Sequence, residues 1–186
     1  MRLDRRDALA GMAAMFGTTL FAPIARAAAA QVTPISDGPP SAPVFSADQR
    51  ALMSALSERI MPTTDTPGAI AAGVPEFIEK MLADWAMPEE RKPILAGLDA
   101  IEARSQADFQ LPAVKTTPEQ QDALLTLAME DKIPGGLSFF DKFRQLVITG
   151  YFTSEIGITQ ERDYLPVPGR YDGAHRYSPG TKVFSS

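Results

Sequence analysis

Two absences bound the chemistry open to this chain. Its 186 residues include no cysteine and a single histidine, His175. A thiolate nucleophile, a disulfide, a cysteine-held cluster and a multi-histidine metal site are thereby excluded for the chain acting alone. A lone histidine with no identifiable partner is more often structural than catalytic. What remains for acid–base work is carboxylate. Asp65, Glu76 and Glu155 are the candidates, but capping and surface roles account for them at least as well. Thr63-Thr64-Asp65-Thr66, set between Pro62 and Pro67-Gly68, is a cluster of short oxygen-bearing side chains. Such side chains bond nearby backbone N–H groups and hold tight turns. One carboxylate is too few for a cation site, so the cluster reads as an ordered connection or a docking loop.

That cluster needs helices on both sides, and the sequence supplies them. Ser46-Ala47-Asp48-Gln49 is a capping box with Phe45 as a staple. Leu52, Met53, Leu56 and Ile60 then recur at helical spacing, predicting a helix over 47–61 that Pro62 ends. Ala69 to Ala72 make a short turn. Pro75 suits a first helical position, followed by Phe77, Ile78, Met81, Leu82 and Trp85 on one face. Trp85, the only tryptophan, is a core or interface anchor. Pro88 starts a helix to about Ala107, onto which Phe109 and Leu111 fold back. Thr117-Pro118-Glu119-Gln120 is a second capping box, and Pro134-Gly135-Gly136 breaks the chain. Ser138 to Phe152 is the most apolar helix outside the leader, with Phe139, Phe140, Phe143, Leu146, Val147 and Ile148 on more than one face. It reads as central or partly covered by another protein. Gly157 is its expected C-cap.

The two ends are of another kind. Met1 to about Ala27 has a basic start, an uncharged apolar centre and the small-x-small exit Ala25-Arg26-Ala27, the three parts of an export signal. Arg5-Arg6 with Leu9 resembles a twin-arginine signal, the route that carries folded proteins; Asp4 and Ala8 depart from the usual pattern. Cleavage after Ala27 removes four basic and two acidic residues and leaves 14 basic against 21 acidic, so the formal charge moves from −5 to about −7. An acidic surface offers nothing to nucleic acid. Residues 28–45 are a Pro-rich linker. Residues 158–186 form an extended arm in which Tyr164, Tyr171, Tyr177 and Phe184 alternate with proline and glycine. Such aromatics anchor one protein on another or pack over their own helices.

Three stretches together resemble the gluconate 2-dehydrogenase subunit 3 family. They are Ile60-Met61-Pro62-Thr63-Thr64-Asp65-Thr66-Pro67-Gly68-Ala69 with its continuation Ala72 to Ile78, Phe139-Phe140 with Gly150 to Gly157, and Tyr164-Leu165-Pro166-Val167-Pro168-Gly169-Arg170-Tyr171. The resemblance covers about residues 46–172. It implies a mainly helical fold with extended arms and no catalytic residues in this chain. It also implies a large partner subunit that carries FAD and oxidises a sugar or polyol, a cytochrome c subunit with haem c as a further partner, and export of both small and large subunits to the periplasm by the twin-arginine translocase. No cofactor is expected in this chain itself.

The resulting expectation is a mainly α protein. It has a signal peptide over 1–27, a linker over 28–45, one domain of about five helices over 46–157 and a C-terminal arm over 158–186. Asp65, Pro67, Trp85, Phe140, Tyr151, Phe152, Glu155, Tyr164 and Tyr171 are nominated for the partner interface. The competing functions are a free-standing helical binding module and a small cofactor-free enzyme using carboxylates.

Overall fold

The computed structural model describes residues 38–167, 169, 178 and 180–185. The leader residues Arg5, Arg6, Leu9, Ala25 and Ala27, and in the arm Tyr171, His175 and Tyr177, lie outside them. Five α-helices fill most of the described chain, as the hydrophobic spacing requires. Helix α1 spans Ala47–Ile60. Its capping box forms in full: Gln49 N donates to Ser46 Oγ and Ser46 N to Gln49 Oε1, both at 3.1 Å. Helix α2, Val74–Asp84, follows Gly73, whose φ of 72° lies in the left-handed region that glycine tolerates best. Helix α3 spans Pro88–Phe109, α4 Pro118–Met129 and α5 Gly136–Thr153. The Thr117 box at the head of α4 closes as the sequence predicts.

Helix α5 is the central helix and touches each of the other four. Its inner face is Phe139, Phe143, Val147 and Tyr151, each four residues after the last and each buried. The Phe139 and Phe143 rings stack at 5.2 Å. Phe140, Leu146 and Ile148 are only partly buried, so the wide apolar surface divides into an inner face and a flank. Helix α3 meets α5 through Gly97: a Cβ there would fall 2.1 Å from the Phe139 ring. Ion pairs tie α1 to its neighbours at the rim, Arg50 to Glu79 on α2 and Arg59 bidentate to Asp122 on α4. These elements belong to a unit that runs from Pro39 to Ser186.

The structure corrects four details. Helix α3 runs on through Phe109, and Leu111 returns to it by backbone alone: Ser105 donates to Leu111 O at 2.8 Å, while the Leu111 side chain is 43% exposed after the left-handed residue Gln110. Gly157 does not cap α5; Ser154 does, its N–H and its hydroxyl both donating to Tyr151 O. Residues Gly157–Glu161 instead form one π-helical turn, so the extended arm begins some four residues later than 158. There β1 (Asp163–Tyr164) pairs in parallel with β2 (Phe184–Ser185). Finally, the linker is not wholly a spacer. Phe45 is buried in the core, and Ser41 N donates to Asp84 Oδ1 at 2.9 Å.

Candidate partner-binding surface

The loop from Met61 to Gly73 is held by a residue the sequence reading passed over. Glu58, in the last turn of α1, has one carboxylate oxygen accepting from Thr63 N at 2.9 Å and from the Thr63 hydroxyl at 2.7 Å. The other accepts from Ile70 N at 2.9 Å. The Thr63 hydroxyl in turn accepts from Gly68 N at 3.0 Å. Gly68 has no room for a side chain: a Cβ would lie 2.2 Å from Glu58 Oε1. Burial pushes the Glu58 carboxyl up, but the donors from Ile70 and Thr63 outweigh it and hold the group below the ordinary carboxylate value. The signal for Glu58 was electrostatic. An acid at a helix C-terminus faces the negative end of the dipole and needs compensating donors.

The far side of the same loop rests on α5 and the π-turn. The Tyr151 hydroxyl donates to Pro67 O at 2.9 Å, and the Thr66 hydroxyl donates to Glu161 Oε2 at 2.7 Å. Tyr151 is 2% exposed, which corrects its nomination as an interface residue: its ring fills the core and its hydroxyl is spent on the loop. Asp65 remains on the surface, its carboxyl lowered first by the Thr64 hydroxyl, which donates to it at 2.9 Å. Pro67 is half-buried. Phe152 is partly covered by the Arg162 guanidinium, 4.6 Å from the ring centre, and meets Tyr151 edge-on. Glu155 is exposed, and Tyr164 is half exposed on β1.

Trp85 and Phe140 belong elsewhere. Trp85 stands at the α2–α3 corner, 55% exposed, two residues before Met87 at 67%. The corner is braced. Arg91 donates to the carbonyls of Ala83 and Ala86, and Met87 N donates to Glu90. Beside it runs a groove of about 600 Å³ between α2, α3 and α5. Leu82 and Ile94 form its buried floor and Met81 and Leu146 its apolar walls. Phe140 lines a second, smaller groove with Arg59, Asp122 and Met129, its ring under the Arg144 guanidinium.

The buried polar side chains serve the fold. Ser57 donates to Met53 O, Ser105 to Leu111 O, and Thr116 and Gln121 both to Ala113 O. Asp65, Glu76 and Glu155 are not brought together. Among the described residues no group of three or more histidine, aspartate or glutamate side chains is placed to hold a metal ion. The arrangement is that of a mainly helical domain whose notable features are surfaces: a clamped loop, an apolar groove and an exposed aromatic corner. A family model described as gluconate 2-dehydrogenase subunit 3 matches residues 47–169, and the chain belongs to that family. A subunit 3 is by designation one part of a multi-subunit complex. No curated protein and no solved structure matches the chain.

Proposed function

We propose that this chain is the non-catalytic small subunit of a periplasmic, FAD-dependent dehydrogenase of the gluconate type, acting on a sugar or polyol. It pairs with the flavoprotein large subunit before export and stabilises it. Its twin-arginine leader, with Arg5, Arg6 and Leu9, carries both across the membrane, where a cytochrome c subunit accepts the electrons. Family membership over residues 47–169 is the observation that carries this reading.

This reading puts the flavin in the partner, and the helix N-termini among the described residues do not suit its pyrophosphate. Dinucleotide pyrophosphate is held at helix N-termini by free N–H groups and the dipole. Here Asp48, Glu76, Glu89, Glu90 and Glu119 occupy the first turns of α1 to α4. At α5, Leu137 N already donates to Asp131. A pyrophosphate would meet a carboxylate at every one of these ends.

The test is a pull-down of the tagged chain expressed from its native locus, with an absorbance spectrum of the eluate. A stoichiometric large partner with flavin bands is expected. A colourless monomer would refute the reading. Replacing Arg5 and Arg6 by lysine should leave both subunits in the cytoplasm; normal periplasmic dehydrogenase activity in that variant would refute the export role.

A further inference from the structure

We infer that the groove between α2, α3 and α5 is a docking site for a segment of the large subunit that presents an apolar side chain next to a carboxylate. The inference rests on the proposed pairing and says where and by what chemistry it is made. The floor and walls, Leu82, Ile94, Met81 and Leu146, require an apolar occupant. The rim decides what flanks it. Glu90 is spent on Met87 N, and Asp141 lies 3.7 Å from Arg144, which also sits over Phe140. Two donors remain. Lys142 lines the groove, is exposed and makes no ion pair among the described residues. Trp85 exposes its ring, and its indole N–H has no acceptor among the described residues. An ammonium and an indole N–H beside an apolar slot are complementary to carboxylate and carbonyl oxygens on a chain whose apolar side chain fills the slot.

The site is also preorganised. Arg91 fixes the carbonyls of Ala83 and Ala86, so the Trp85 corner needs no ordering before it binds. Tryptophan is among the residue types enriched where protein interfaces carry most of their binding energy.

The experiment uses the co-purified two-subunit complex. Trp85→Ala and Lys142→Glu are each compared with Lys132→Glu, a charge reversal at an exposed site outside the groove. Trp85→Ala should raise the Kd for the flavoprotein by about thirtyfold or more. Lys142→Glu should weaken binding and remove part of its salt dependence. Lys132→Glu should change neither. Each variant is first checked for wild-type helical circular dichroism and Tm, and Leu146→Met, a volume-conserving change in the wall, should retain binding. A photo-crosslinking residue placed at Met87 should label a large-subunit peptide with Asp or Glu beside an apolar residue. Retention of the flavoprotein by folded Trp85→Ala and Lys142→Glu overturns the inference while leaving the pairing intact. So does a crosslink to a second copy of this chain. If the wild-type chain retains no flavoprotein, the pairing itself fails and the inference with it.

Discussion

Replacing Glu58 by glutamine tests the account of the 61–73 loop most directly. The carboxylate accepts three hydrogen bonds, from Thr63 N, the Thr63 hydroxyl and Ile70 N. Glutamine keeps one acceptor oxygen for Thr63 but turns an amide N–H2 toward the Ile70 N–H. One charge-assisted bond is lost and two donors face each other. At a half-buried site that costs about 2 kcal/mol, or about 4–8 °C in Tm for a domain of this size. The pH dependence gives a second handle. The folded carboxyl titrates below its ordinary value of 4.5, so its contribution is full above that value and is lost as the pH falls through the folded pKa. The Tm gap between wild type and Glu58→Gln should be widest near neutral pH and should narrow below 4.5. A third handle is coupling. Gly68→Ala should cost less in a Glu58→Ala background, because the nearest clash is with Glu58 Oε1 at 2.2 Å. It should still cost something, since Thr63 N lies 2.6 Å away. Thermal melts by circular dichroism at several pH values measure all three. An unchanged Tm for Glu58→Gln, or a gap that is the same at pH 3 and pH 7, would refute the reasoning.

Gly97→Ala should destabilise by about 1–3 kcal/mol, because the new methyl overlaps the buried Phe139 ring; urea midpoints measure it. Tyr151→Phe should cost about 1 kcal/mol by removing the bond to Pro67 O, and should leave the partner's affinity alone since the ring is buried; a lost complex with an unchanged Tm would contradict that. Asp84→Ala should release the segment before Phe45, read as faster limited proteolysis between residues 39 and 44. The Asp84 carboxyl is lowered to about 2, first by the Ser41 side chain, then by Ser41 N–H and Lys80. In the wild type the clamp should therefore be in full force above the ordinary value of 3.8 and be lost only as the pH falls through about 2.

Helices were legible because their signals are local. The Ser46 and Thr117 boxes, Pro75, Pro88 and Pro118 at helix starts and the four-residue spacing along α5 each act within one or two turns. The loop's shape was not, since it depends on Glu58 reaching from the preceding helix and on Tyr151, some 84 residues away, meeting Pro67. The same distance explains why Tyr151 read as an interface aromatic: apolar spacing places it on α5 but does not say which face the loop covers. Trp85 was recognised as an anchor of the core or of an interface. Its 55% exposure decides for the surface, at a corner whose flanking carbonyls Arg91 holds. Two-residue strands carry no alternation to detect, so the β1–β2 pair had no signature.

The Trp85–Met87 corner and the arm differ in how they are held, and this separates their roles in binding. The Trp85–Met87 corner is fixed by side chains bonded to its backbone, with Leu82 and Ile94 packed beneath. The arm exposes Tyr164, Leu165, Val167, Val183 and Phe184. It is tied down by a two-residue parallel ladder, by Asp163 N donating to Val183 O at 3.1 Å and by Lys182 donating to Gln160 O. An isolated two-stranded pair is marginal in water. A partner at the corner therefore meets a surface that is already formed, whereas a partner at the arm must hold the arm in place as part of binding, and that ordering subtracts from the affinity. Truncating Trp85 should thus act on the dissociation rate of a complex whose association rate barely changes. Reversing Lys142, at the groove's rim, should slow association and flatten its salt dependence. The opposite pattern, with Trp85→Ala changing mainly the association rate, would mean that the corner reorganises on binding and that its bracing by Arg91 does not survive in the complex.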